Sequence, residues 1–187
     1  MLKPIASLAL GAVFLTACGA TDDLYLVPET QIARSVAVRA GSLEIRDIVL
    51  PAYGADADIL VQEEDGALRP LGGALWADEP LAGLTRSLAD RLDRATTAVA
   101  APAPWPLFDG PDRAVQVTVD RMVARNDGQF ALAGQFAMIS ASGNAREFIR
   151  RFDILQPYAA ATPQAITDAL GRALDALALE IAGSIQR

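Results

Sequence analysis

Apolar residues recur along this chain with two periods, and the period changes where the elements change. Ile166, Leu170, Leu174, Leu177, Ile181 and Ile185 follow one another at spacings of three and four. Such a pattern lines one side of an α-helix. Thr162-Pro163 stands in front of it as cap and first helical residue. Leu81, Leu84, Leu88 and Leu92 make a second stripe. Asp78 is the expected cap, Pro80 suits the first turn, and the helix should run to about Ala98. Arg86, Asp90, Arg91, Asp93 and Arg94 fall mostly off that stripe.

Between and before these helices the period is two. Val115, Val117 and Val119 alternate, Asn126-Asp127-Gly128 turns, and Phe130, Leu132, Phe136 and Met138 return with Gly134 in the vacant place. Ser142-Gly143-Asn144 turns again, and Glu147–Leu155 follows with Phe148, Phe152 and Ile154 in phase. These three strands predict an antiparallel meander. Nearer the start, Leu24–Val27 ends at Pro28. Ser42–Leu50 alternates with a slip near Asp47, and Ile59–Gln62 leads into the acidic turn Glu63-Glu64-Asp65-Gly66. Leu68–Leu71 is the expected partner strand, broken by Gly72-Gly73, and Ala101–Pro106 is expected as an extended loop. One apolar stripe per helix means one packed face per helix. The sum is an α+β single domain: a mixed, mostly antiparallel sheet with two long helices packed on it.

The first residues follow neither period. Met1-Leu2-Lys3-Pro4 is short and basic, Ile5 to about Leu15 is apolar, and Leu15-Thr16-Ala17-Cys18 closes the segment. An apolar run this short is an export signal and not a membrane span, which needs about 20 residues. The four closing residues resemble the lipobox of bacterial lipoproteins. In that class the cysteine thiolate takes a diacylglycerol, the chain is cut before it, and the new amine is acylated. The organisation expected is a signal peptide over 1–17, a lipidated tether and lead-in over 18–34, and the folded domain over 35–187. The covalent lipid on Cys18 is the only group the sequence asks for, and no separate cofactor is expected. Gly19, rather than an aspartate, follows the cysteine. By resemblance to enterobacterial lipoproteins this implies the outer membrane.

Composition narrows the chemistry. There is no histidine, Cys18 is the only cysteine, and Lys3, the only lysine, lies inside the signal. Ser-His-Asp and Cys-His catalysis and His/Cys zinc sites are therefore excluded. Carboxylate chemistry remains, and it needs two acids about 5 to 9.5 Å apart across a cleft. The formal net charge of −7 argues against nucleic acid and against electrostatic attraction to anionic lipid surfaces. Asp56, Asp58, Glu63, Glu64 and Asp65 do not have calcium-loop spacing, and read as a solvated turn or a face for a basic partner.

Several fragments line up in order with one family. Ile48-Val49-Leu50-Pro51-Ala52-Tyr53 resembles the hydrophobic-Leu-Pro-x-Tyr strand end of the ABC-type transport auxiliary lipoproteins, the PqiC-like family. Trp76-Ala77-Asp78-Glu79-Pro80-Leu81 resembles that family's Trp-Ala-Glu-Pro-Leu helix start, with one extra acidic residue. Pro104-Trp105 and Val115-Gln116-Val117-Thr118-Val119-Asp120-Arg121 resemble its later strand. The chain departs from the pattern at Gly54–Ile59, where the family has Asp-Arg-Pro-Gln-Ile, and at Phe136, often a tryptophan there. The resemblance implies a non-catalytic accessory subunit on the periplasmic face of the outer membrane. Its implied partners are an MCE-domain protein and the permease components of an ABC-type lipid transporter, and a homo-oligomer is plausible. It carries over no catalytic residue and no metal site. The alternative is a structural envelope lipoprotein that assembles another complex. The residues expected at a partner interface are Trp105, Tyr53 and Trp76, although Trp76 at a helix start also suits packing on the sheet.

Overall fold

The structure, a computed structural model, describes residues 22–141 and 143–186. The export signal and the Leu15-Thr16-Ala17-Cys18 lipobox lie outside the described residues. Among those described, eight strands form one mixed sheet and two long helices cover it. In chain order these are β1 (Asp23–Tyr25), β2 (Ser42–Ile45), β3 (Asp58–Gln62), β4 (Leu68–Trp76), α1 (Pro80–Ala95), β5 (Val99–Pro102), β6 (Arg113–Arg125), β7 (Gln129–Ser140), β8 (Phe148–Pro157) and α2 (Pro163–Ser184). A 3-10 turn, Ala52–Gly54, follows Pro51. The expected fold class is the one found.

Strand β6 is the axis of the sheet. One edge pairs with β7 in a long antiparallel ladder, and β7 pairs likewise with β8. The other edge is shared by two short parallel partners, β2 beside its start and β3 beside its end, with Val49 bridging to Thr118 between them. Strand β2 carries β5 outward, and β3 carries β4 and then β1. The slip read near Asp47 is where β2 ends. The burial phase of β6 shifts at a bulge between Val119 and Arg121, so that Met122 and Ala124 replace odd-numbered valines on the inner face. Gly134 lies opposite Val119 at that bulge. A Cβ there would overlap the Thr118 carbonyl oxygen and lie 3.0 Å from the Val119 Cα. The vacant place in the alternation is therefore a close approach of two backbones.

The α2 stripe is buried as read, and so is the α1 stripe except at Leu81, which is half-buried. Leu84, Leu88 and Leu92 from α1, Ile166, Leu170, Leu174, Leu177 and Ile181 from α2, and Ile185 just past its end join Leu43, Ile45, Val115, Val117, Phe136 and Met138 in one core. Thr162 caps α2, its side chain accepting from the Ala165 N–H at 3.3 Å.

Four local expectations are corrected. Strand β4 does not break at Gly72-Gly73 but continues to Trp76, because Gly73 takes a positive φ of 77° and carries the chain through. The cap of α1 is Glu79, with no side-chain bond, and not Asp78. The Asp78 carboxylate instead accepts from the Glu79 N–H at 2.9 Å and pairs with Arg86. Helix α1 ends at Ala95, earlier than Ala98, where the Thr96 hydroxyl donates to the Leu92 carbonyl at 2.9 Å and the chain turns into β5. Strand β5 takes the first part of the expected loop, and a cis Ala103-Pro104 bond follows it.

Candidate functional site

The segment read as lead-in is, from Asp23 onward, part of the fold. Strand β1 pairs with the last residues of β4, Tyr25 opposite Trp76. The ladder ends there with β4, and at Pro28 the chain crosses α2 at Gly171. A Cβ on Gly171 would lie 3.3 Å from Pro28, so the crossing is close because α2 has no side chain there.

What holds this strap down is Arg91. The sequence places it off the leucine stripe, yet its side chain is only 1 % exposed. It lies between the helices with its Nε 2.8 Å from Asp175 Oδ1 of α2, an ionic contact made off the N–H direction. Its Nη2 donates to the Pro28 carbonyl at 2.8 Å and to the Gly171 carbonyl at 3.4 Å, and its Nη1 donates to the Ser87 carbonyl at 3.2 Å and to the Ser87 hydroxyl. Asp175 completes the latch by accepting from the Thr30 hydroxyl at 2.8 Å and the Gln31 N–H at 3.2 Å. Burial pulls the Arg91 pKa down while the Asp175 charge pulls it back up. A guanidinium stays charged through such an environment. A charge this deep is tolerated because its carboxylate and carbonyl partners surround it.

Beneath the strap lies a cavity of about 280 Å³. Its walls are mostly apolar: Tyr25, Val27, Pro28, Trp76, Leu84 and Leu170. Glu29, Asp78, Glu79, Arg86 and Asp90 stand among its lining residues, giving it an acidic excess. Trp76 and Tyr53 are brought together, since both line a smaller void of about 20 Å³ against Met122. The Tyr53 hydroxyl accepts from the Met122 N–H at 3.2 Å. Trp76 is half-buried, with its backbone N–H donating to the Ala57 carbonyl at 2.7 Å. The expected interface pair is thus also a packing pair at the sheet's corner.

Trp105 is elsewhere. Its backbone N–H donates to the Glu44 carboxylate at 3.0 Å and its indole N–H to the Asp109 carbonyl at 2.7 Å, which folds the loop after β5 on itself. The large apolar residues that loop presents to solvent are Leu107 and Phe108, the latter fully exposed. Sequence reading singled out neither. Their signal was present as two adjacent apolar residues in a stretch with no period to bury them.

The acidic hairpin lines an open hollow of about 680 Å³ together with Arg69, Asn126 and Tyr158. Asp65 pairs with Arg69 at 3.4 Å, and burial and then the Asp127 charge push the Tyr158 phenol up. No group of acids among the described residues is arranged to hold a metal ion.

A family model described as ABC-type transport auxiliary lipoprotein component matches residues 25–182. The fold is similar to a crystal structure of an uncharacterized protein, at 21 % identity and a TM-score of 0.72, covering 89 % of this chain and 99 % of that one. It is also similar to protein XCC0632 from Xanthomonas campestris, of family model DUF330, at 18 % identity and a TM-score of 0.63, covering 86 % of this chain and 93 % of that one. At these identities the two structures speak for the fold alone. No curated protein matches the chain.

Proposed function

The chain belongs to the family of ABC-type transport auxiliary lipoprotein components, and from that premise we propose that it is the lipid-anchored, non-catalytic docking subunit of an MCE-type lipid transport system at the periplasmic face of the outer membrane. The observation that carries this reading is the family match over 25–182 directly behind the Leu15-Thr16-Ala17-Cys18 lipobox.

The latch gives the reading a mechanical basis. A diacylglycerol and an amide-linked acyl chain on Cys18 hold firmly, since two chains already anchor stably and each buried CH₂ contributes about 0.8 kcal/mol. From Cys18 to Asp23 an extended chain reaches at most about 17 Å, so the corner formed by β1 and β4 stays close to the membrane. Tension on the anchor enters the body at β1 and the strap. Arg91 and Asp175 pass it to both helices at once. An anchored docking subunit needs such a rigid attachment, and it needs no reacting group. The Tyr53–Trp76 corner and the Leu107–Phe108 loop are the surfaces available to the MCE-domain protein and its permease, or to a second copy of this chain.

The test has two arms. Mass spectrometry of the protein from its host should find residue 18 as the first residue, with added fatty acyl mass. Crosslinking in intact cells should capture an MCE-domain protein. Capture of envelope-assembly proteins in its place would favour the structural alternative and overturn the transport role.

A further inference from the structure

Another concavity, of about 420 Å³, opens at the other end of the helix–sheet stack. It lies beside the start of β6, whereas the strap cavity reaches Met122 near that strand's end, about 30 Å away at the rise of an extended chain. Arg39, Arg113, Arg146 and Arg150 line it, with Phe148 and Ile149 on one side and the last turn of α2 on the other. Arg113 is in phase with Val115, and Arg150 with Phe152, so both rise from the helix-covered face of the sheet at its margin. Few contacts hold these side chains, three of which are exposed. Arg113 Nη1 donates to the Arg146 carbonyl at 3.3 Å, the Arg39 N–H donates to the Ile185 carbonyl at 3.1 Å, and the Arg150 guanidinium lies 5.2 Å from the Phe148 ring centroid.

Among the described residues these arginines share the lack of a carboxylate partner with Arg34, Arg121 and Arg172, and are set apart by lining one cleft together. Arg46, Arg69, Arg86, Arg91, Arg94, Arg125 and Arg151 each have a carboxylate within 4.0 Å. Among the described residues, none pairs with Arg39, Arg113, Arg146 or Arg150. The nearest acids in sequence are engaged elsewhere: Asp112 accepts from the Gly41 N–H at 2.6 Å and the Ser42 N–H at 3.2 Å, and Glu147 accepts from the Ser140 N–H at 3.0 Å. Asp112 and Glu147 keep their charge while so bonded, and the carbonyl end of α2 adds about half a negative charge, so the four cations leave a local positive excess. In a chain of net charge −7, this is a local reversal of sign.

We propose that this cleft binds a phosphate-bearing anion. A guanidinium presents parallel N–H donors that match an oxyanion's lone pairs, and several guanidiniums can share the oxygens of one phosphate where a carboxylate would satisfy only one or two. Phe148 lies beside the arginines on the same face of β8, so the cleft has room for a small apolar group next to the phosphate. A phospholipid headgroup is one source of that chemistry and a soluble phosphate compound is the other. The inference goes beyond the docking reading and stands on the cleft's own charge.

The test uses the full chain in uncharged detergent, with arginine Nε–Hε resonances as the readout. Three probes are titrated: inorganic phosphate, dihexanoylphosphatidylglycerol and a short polyglutamate peptide. Saturable shifts with phosphate or the lipid are expected. Lipid binding tighter by roughly tenfold or more makes the headgroup the source, and equal affinities make it soluble phosphate. The double charge reversal R146E/R150E should weaken the tighter probe by roughly tenfold or more. R69E/R94E, which changes net charge equally at paired surface arginines, should not weaken it. R146K/R150K should retain part of the binding, which separates lost charge from lost structure. The proposal is overturned if wild type gives no saturable shift with phosphate or lipid at millimolar concentrations, if R146E/R150E binds as wild type does, or if polyglutamate binds more tightly than either phosphate probe. Each of these results is independent of whether crosslinking captures an MCE-domain protein.

Discussion

The strap cavity and the arginine cleft use the same side chain in opposite ways. At the strap, Arg91 is enclosed by Asp175, Pro28, Ser87 and Gly171 and serves the fold. At the cleft, Arg39, Arg113, Arg146 and Arg150 gather without a carboxylate among the described residues. The cavity lies under the strap and has mostly apolar walls and an acidic excess. The cleft lies at the far end of β6 and is basic. Burial decides between the two uses. A guanidinium withdrawn from water must carry its counter-charge with it, whereas one in water can stand unpaired and wait for a ligand. The difference predicts that substitutions at the strap are read in stability and those at the cleft in binding.

The largest expected effect is R91L. It leaves Asp175 without its cation and releases Pro28, so urea unfolding of the full chain should show a loss of about 3–5 kcal/mol. Adding D175L should restore much of it, because an apolar pair of similar volume often does as well as a buried ion pair. A double variant as unstable as R91L would mean that the strap's carbonyl and hydroxyl bonds, and not the ion pair, are what the latch supplies. Next in size is G171V. Its branched side chain meets Pro28, where a single Cβ would already be 3.3 Å away. The expected loss is about 1–3 kcal/mol, with a red shift of Trp76 emission as the strap lifts. An unchanged spectrum would mean that the strap does not cover the tryptophan.

A smaller effect separates the two helices. T162A removes the one side-chain cap, on α2, and should lower stability by about 1 kcal/mol. E79A removes no such bond from α1 and should be near neutral. Equal losses in the two variants would show that the Glu79 carboxylate acts on the helix by charge alone.

How much of this was legible in the sequence follows the same physics. Periodicity reports which side of an element is covered, so both stripes, the meander and the Thr162 cap were readable. It does not report what covers them. That β6 divides one edge between β2 and β3 depends on contacts far apart in sequence, and no local pattern encodes it. Gly72-Gly73 reads as a break because glycine permits a turn, but it equally permits the positive φ that keeps β4 going. Arg91 reads as solvated because a charge off a leucine stripe usually is. Its partner Asp175 lies on the other helix, at a distance along the chain that spacing arguments do not reach. Net charge failed for a related reason: it sums over the whole surface, and a sum of −7 hides a basic cleft. The Arg146–Arg151 segment, with three arginines beside Phe148 and Ile149, was the visible trace of it.

The smallest predicted effect tests the contrast most directly. If the cleft arginines are held apart from any carboxylate, each feels only the others, across solvent. Repulsion between exposed like charges is weak at physiological salt, where screening acts over about 8 Å. Removing one charge with R146A should therefore not destabilise the fold, and should raise stability by no more than about 0.5 kcal/mol. That gain should vanish at 1 M salt, where the screening length falls to about 3 Å, while the loss caused by R91L should persist because a buried pair is screened far less. Urea unfolding of both variants at low and high salt makes the measurement. A clear loss of stability in R146A at either salt concentration would mean that Arg146 is tied into the fold, and the division between a structural arginine at the strap and ligand-ready arginines at the cleft would not hold.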